Sequence, residues 1–420
     1  LLGLLSSTAA VWAQAPAAPA APGRVRAQGR DVTPSPAAPA LPPIGGAAID
    51  LREQMRKFIQ TISTFARRQN RNFAVIAQGG LDLLVKRDPI DDTKVSPARA
   101  YMHSIDGVMV EGLFYEARRV FGEPPPAARQ ARFLRLAETA KENGLRVFVV
   151  DFTADPGNIE DSYRRNQQRG YISYAAPSPL PRLNALARLP ARPVGENPKS
   201  IISLSDAKNF AYITDSAAFG RQDEFALAMH QVNYDLLVTS VFHGRDPLTA
   251  RAVETLKYKL VGGKRLVFAT IDIGSAASYR YYWKPNWREG SPAFVGAPFA
   301  DDPDRFHAEF WRPEWQRLIA GDNQSYVFGI IAQGFDGVVL TGMEEAYRFF
   351  EGGEEQEEEQ QPQIAAPPGP TTPLQPTQPT AATAPASPAG AATTAPPVPV
   401  APRPGAPVPL TPPGQQQRQP

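Results

Sequence analysis

Proline placement limits what this chain can fold into more than any other feature. Of 45 prolines, 8 fall in residues 14–49 and 19 in residues 361–420, leaving 18 for the long stretch between. Proline lacks a backbone N–H and interrupts both helices and sheet ladders, so the outer segments cannot pack a core and the middle can. Residues 14–49 read as a Pro/Ala-rich linker, expected to be disordered. Past Phe350 the composition changes again: Glu351–Glu359 holds six glutamates and no lysine or arginine, and residues 361–420 contain no aromatic residue. That suits an extended Pro/Ala/Thr/Gln tail, a spacer arm or a linker with no partner of its own. The expected division is residues 1–13, 14–49, a folded unit over 50–351, and a disordered tail over 352–420.

The residue inventory excludes several classes. A net charge of +2 supplies no strong field for nucleic acid. The absence of cysteine excludes disulfides, zinc–thiolate sites and thiol catalysis. No internal apolar run approaches the ~18 residues of a spanning helix. Residues 1–13, ending Val11-Trp12-Ala13, lack an initiator methionine and a basic start but read as the apolar remnant of a secretory signal, against an ordinary apolar start. A secreted or periplasmic protein is expected.

Eight short runs rich in Val, Ile, Phe and Tyr predict strands: 73–77, 105–110, 146–150, 171–174, 210–214, 234–238, 265–271 and 337–340. The stretches between predict helices. Met55, Phe58, Ile59 and Ile62 share one face of a helix over residues 50–68, and Phe225, Ala228, Met229 and Val232 repeat the spacing. Residues 127–143 end at Gly144. Asp246-Pro247 opens a further helix as N-cap and first residue, ended by Gly262-Gly263. Trp315, Leu318, Ile319, Phe328 and Ile331 mark one before the last strand. Eight strands alternating with helices predict an α/β fold, a (β/α)8 TIM-type barrel, with an open doubly wound sheet as the competitor. No strand is followed by a glycine-rich phosphate loop, so no nucleotide cofactor is expected.

Barrel chemistry sits at the C-terminal ends of strands. Asp151, Asp215 and Asp272 end the third, fifth and seventh runs, and Asp106 and Glu111 bracket the second. Carboxylates gathered at one mouth are what glycoside hydrolysis needs, one as acid and one as base or nucleophile. Each could equally cap a helix or pair with an arginine. Trp283, Trp287, Trp311 and Trp315 lie within 33 residues, beside Tyr279, Tyr281 and Tyr282. They could stack on sugar rings or form a small core under a long loop. His103, His230, His243 and His307 show no metal-ligand spacing, and His230 falls on an amphipathic helix as a structural residue. No metal is expected. Asn323-Gln-Ser325 matches a glycosylation sequon.

Several strings resemble one family. Gly274 to Trp283, with Asp272-Ile273 before it, is similar to the "SIGEAEDYRxYW" motif of glycoside hydrolase family 114-type barrels, the endo-α-1,4-polygalactosaminidase relatives. Phe73–Gly79 resembles the family's first strand. Ile105-Asp106-Gly107 with Glu111, Leu113, Phe114 and Tyr115 resembles "IDGxxxExLFY". Val149-Val150-Asp151 resembles "VVDY", Phe310–Trp315 resembles "YWDPEW", and Gly334–Val338 resembles "GFDGV". The resemblance spans about residues 70–350 and implies a barrel acting on an amino-sugar polysaccharide.

Three family acids are replaced by hydroxyls: Ser240 ends the sixth strand, Ser275 follows Gly274, and Thr341 follows Leu340. A serine cannot protonate a glycosidic oxygen near neutral pH. Two readings stay open. One is an exported glycosidase using Asp151 and Asp272 as a shifted catalytic pair, Asp272 reaching the space left by Ser275, with Glu111 and Asp215 in reserve. The other is a barrel that binds a polysaccharide without cleaving it. Substrate contacts are expected from Asp106, Glu111, Tyr115, Asp215, Tyr279, Arg280 and Trp283. An unrelated activity on the same barrel is the remaining alternative.

Overall fold

The computed structural model describes residues 49–88, 94–179 and 183–352. The signal, the Pro/Ala linker and the C-terminal tail lie outside the described residues. The eight predicted strands are all present: β1 Ala74–Gln78, β2 Gly107–Glu111, β3 Arg146–Phe152, β4 Ile172–Ala176, β5 Phe210–Ile213, β6 Leu236–Ser240, β7 Leu266–Asp272 and β8 Gly337–Thr341. They form one parallel sheet in the order β4-β3-β2-β1-β8-β7-β6-β5, a nearly closed TIM-like barrel. First and last strands are neighbours, with Ala74 opposite Gly337 and Ala77 opposite Leu340. β4 and β5 lie side by side, and the described ladders stop short of joining them. Leu183 is tied to the end of β5: its carbonyl accepts from Thr214 N at 2.9 Å, and its N–H donates to Thr214 Oγ1 at 3.2 Å.

Helices cover the outside. α1 (Leu51–Gln69) starts where Asp50 accepts from Glu53 N at 2.8 Å and buries the face predicted for it. It packs on α2 (Arg99–Met102), α7 (Pro313–Ala320), α8 (Tyr326–Ala332) and α9 (Met343–Glu351). α3 (Ala127–Glu142), α4 (Pro156–Gln168), α5 (Gln222–His230) and α6 (Ala250–Leu256) complete the ring.

Four expectations are corrected. Asp246-Pro247 does not open a helix: it pairs with Phe242–His243 in a two-residue hairpin, and Thr249 caps α6 by accepting from Ala252 N. α6 ends at Leu256, well before Gly262-Gly263. The helix before β8 is two, broken at Gly321, whose added Cβ would meet the Arg317 backbone. Finally, no α-helix occurs among the described residues between β4 and β5, where six prolines leave only the 3-10 turn Leu204–Asp206.

Aspartates pin the N-terminal end of the barrel in a repeated way. Just before β2, Asp106 Oδ2 accepts from Val75 N on β1 at 2.7 Å and from Arg67 Nη2 at 2.9 Å. Just before β8, Asp336 accepts from Val267 N on β7 and from Lys257 Nζ. Just before β6, Asp235 accepts from Lys208 N ahead of β5 and from the fully buried Lys259. A backbone N–H on or just ahead of the neighbouring strand and a cation thus hold the starts of β2, β6 and β8. The glycines after two of these aspartates, Gly107 and Gly337, sit so close to the next strand that an added Cβ would fall 2.8 and 2.6 Å from its carbonyl oxygens.

Between β7 and α7 the chain forms a small antiparallel sheet of Ser275–Ala277, Arg305–Ala308 and Val295–Pro298. Trp315 is fully buried beneath it and donates Nε1–H to Ile273 O at 2.9 Å.

Candidate functional site

The pattern of exposure locates the mouth. In β1, β2, β6 and β8 every residue is buried except the last, and β7 repeats this at Thr270 and Asp272. Gln78, Glu111, Ser240, Asp272 and Thr341 therefore open together at the C-terminal end, where TIM-barrel enzymes carry their chemistry.

One hydrogen-bonded chain crosses the interior. Tyr212 on β5 donates its hydroxyl to Gln78 Oε1 at 2.8 Å, and Gln78 Nε2 donates to Glu111 Oε1 at 2.5 Å. β5 and β1 lie four strands apart in a ring of eight, so this bond spans the barrel and fixes Gln78 pointing inward. Since Gln78's oxygen is taken by Tyr212, its amide NH2 must face Glu111. Burial raises the Glu111 pKa above the usual carboxylate range, Arg118, Arg129 and the Gln78 bond oppose that, and Glu344 adds to it. Glu344, at the start of α9, accepts from Gly80 N at 2.8 Å and pairs with Arg348.

Asp272 lies on the other side of the mouth, beside Thr341 in register. Its Oδ1 accepts from Gly274 N and Ser275 N, and its Oδ2 from Ser275 Oγ at 2.6 Å. The expected meeting of Asp272 with the Ser275 position is present, as a hydrogen bond that occupies the carboxylate. Burial raises its pKa, against the Ser275 bond and Arg305. Gly342 makes this packing possible: its φ is +75°, and an added Cβ would fall 2.1 Å from Asp272 Oδ1.

Asp215 follows β5 and is partly exposed, with no capping bond to the 3-10 turn Ser216–Phe219 that it starts. Ser216 Oγ lies 3.1 Å from His243 Nδ1, and His243 Nε2 lies 2.8 Å from Gly220 O. Neither Ser216 nor His243 lies in a sequence motif that marks a site.

Three expected site residues lie elsewhere. Asp106 stands at the opposite end of the barrel, because it precedes its strand rather than ending it. Asp151 is fully buried and turned outward, toward α4: it accepts from Phe114 N, Tyr115 N, Ser162 Oγ and Asn166 Nδ2. Burial raises its pKa against those four bonds. Asp151 and Asp272 therefore do not share a cleft. Tyr115 is buried and donates to Asp161 on α4 at 2.8 Å.

Tyr279 is 49% exposed, and Arg280 lies over both its ring and that of Phe242, at 5.3 and 4.9 Å. Trp283 is half-buried, stacked on Phe306 at 5.1 Å and edge-on to Trp287. The tryptophans largely form a core under the β7 loop, leaving Tyr279 and Tyr281 as the exposed aromatics of that cluster.

No family model matches the chain. An uncharacterised protein of Deinococcus radiodurans is 32% identical over 121 residues, 29% of this chain and 36% of that protein. One from Methanocaldococcus jannaschii is 33% identical over 98 residues, 23% and 27% of the two chains. One from Thermotoga maritima is 33% identical over 72 residues, 17% and 21%. The chain spans about a third or less of the curated relatives it matches. Among the described residues, no helix is long and apolar enough to cross a membrane.

Proposed function

We infer that the mouth of the barrel binds a segment of an amino-sugar polysaccharide and holds it without efficient cleavage. The observation that carries this reading is the state of Asp272: both carboxylate oxygens are engaged, three donors hold it, and hydroxyls stand at Ser240, Ser275 and Thr341 around it. Glycoside hydrolysis needs two working carboxyl groups across the scissile bond. Glu111, with its raised pKa, suits the acid, but Asp151 is sealed behind β3 and cannot be its partner. Glu111 and Asp272 are three strands apart, about 14 Å along the sheet. Acids on two sides of the mouth favour a cationic or hydroxyl-rich polymer. Tyr279 and Arg280 offer a stacking and hydrogen-bonding edge on the β7 side.

Titration calorimetry with cationic galactosaminoglycan and related polysaccharides, run beside a reducing-end assay, tests this. Saturable binding without release of reducing ends is the expected result, and Glu111→Gln weakens it about tenfold, roughly 1.4 kcal/mol. Steady release that Glu111→Gln abolishes would make the protein a glycosidase instead. No binding to any of the polymers would end the carbohydrate reading.

A further inference from the structure

We propose that Ser216 and His243 form a nucleophile–base pair that cleaves short-chain carboxylic esters, a chemistry independent of the carbohydrate reading. The pair sits where TIM barrels place reacting groups, after β5 and β6. Ser216 begins the turn that follows β5, and His243 stands on the hairpin Phe242–His243/Asp246–Pro247 that follows β6.

Proton bookkeeping at the imidazole supports the assignment. Gly220 O can only accept, so the ring nitrogen 2.8 Å away, Nε2, carries the hydrogen. In the neutral ring Nδ1 then presents a lone pair, and the group facing it at 3.1 Å is the Ser216 hydroxyl. The hydroxyl donates to the nitrogen that would take its proton. A nucleophile within hydrogen-bond reach of a base, the base itself oriented by a third group, is the arrangement that activates serine. Here the third group is a backbone carbonyl rather than a carboxylate. The Phe225 ring lies 6.5 Å from the imidazole, and the carbonyl of Gly220, at φ +93°, comes from the residue that ends the Ser216 turn.

The step balances without a co-reactant. Ser216 Oγ bonds to the ester carbonyl carbon as His243 Nδ1 takes the hydroxyl proton. The acyl C–O bond breaks, and the alcohol leaves with that proton. Water, deprotonated by the same nitrogen, then hydrolyses the acyl-serine: the carboxylic acid departs and Ser216 recovers its hydrogen. Burial sets the substrate class. Ser216 is 1% exposed, so an ester reaches its hydroxyl only as the exposed turn Gly244–Asp246 beside it yields, which limits the proposal to a small acyl group such as acetyl.

The experiment is reaction of the full chain with diisopropyl fluorophosphate, mapped by peptide mass spectrometry, beside hydrolysis of p-nitrophenyl acetate. A phosphoryl adduct on Ser216 is expected, with ester hydrolysis that falls at least tenfold in Ser216→Ala and in His243→Gln. His103→Gln, which removes an exposed histidine, keeps the rate. An adduct elsewhere, no adduct at all, or hydrolysis that persists in Ser216→Ala overturns the proposal. Labelling of the unsubstituted protein decides the question even if Ser216→Ala does not fold.

Discussion

Replacing Asp151 separates a structural carboxylate from a reacting one. In the folded protein Asp151 receives two backbone N–H groups, from Phe114 and Tyr115, and two side-chain donors, from Ser162 and Asn166, with no exposed surface of its own. In Asp151→Ala the Ser162 hydroxyl can rotate, and Asn166 Nδ2 keeps its 2.9 Å bond to Ser162 O. The two backbone N–H groups cannot move away. Each buried donor left unsatisfied costs about 1–3 kcal/mol, so the loss is about 4 kcal/mol. With an unfolding entropy of ~2.1 cal/mol/K per residue over roughly 300 folded residues, that lowers Tm by about 6 °C. Asp151→Asn costs less, about 1–2 kcal/mol: its oxygen serves the two N–H groups, and its NH2 can donate to Ser162 Oγ and to Asn166 Oδ1, which has no partner in the folded protein. Calorimetric or urea unfolding of both variants, with polysaccharide titration of each at a temperature where it is folded, reads the two effects. Neither substitution changes affinity. A variant with unchanged stability and lost binding or hydrolysis would show that Asp151 works at the mouth and that the outward orientation is wrong.

Two further tests address the packing near the mouth. His307 is stacked between Phe299 and Phe349 at 3.8 and 3.5 Å, and burial with Arg305 nearby pushes its pKa down to about 4. The folded state favours the neutral ring, so its stabilisation is complete above the unfolded pKa of about 6.5 and is lost as pH falls from there to about 4, by at most about 3 kcal/mol. Urea midpoints at pH 7.5 and 4.5 should differ less in His307→Phe than in the wild type, and equal differences in the two proteins would contradict the buried neutral ring. Gly342→Ala places a methyl against Asp272 and should cost more than 2 kcal/mol, whereas Gly144→Ala, at φ +85° with open space around it, should cost about 1 kcal/mol. Equal losses in urea unfolding would mean that Asp272 is not seated against Gly342.

The strands were legible because short runs of β-branched and aromatic residues cannot be much else, and α1 because one face of it is apolar for its whole length. The directions of the acids were not. β3 is buried on both faces apart from Arg146, so its sequence carries no alternation from which to decide whether Asp151 points to the lumen or to α4. Asp106 looked like one end of a functional strand. Its neighbour Gly107, the same Asp-Gly pairing at Asp336-Gly337, and the bonds to the adjoining strand show a device for starting strands. Asp246-Pro247 satisfied the local rules for opening a helix, yet pairing with Phe242–His243 took those residues first. Tyr212 and Gln78 are 134 residues apart, and only closure of the ring brings them together.

The ring also inverts the relation between chain and sheet. β1 and β8, the earliest and latest strands synthesised, are the two in the middle of the ladder, and β4 and β5, made halfway through, meet at its seam. On a ribosome β1 waits for its second neighbour until almost the whole barrel has emerged, so cooperative closure comes only after β8 has been made. A released chain ending before Gly337 leaves β1 and β7 each short of a partner, and should be cut by protease far more readily than one ending after Glu351.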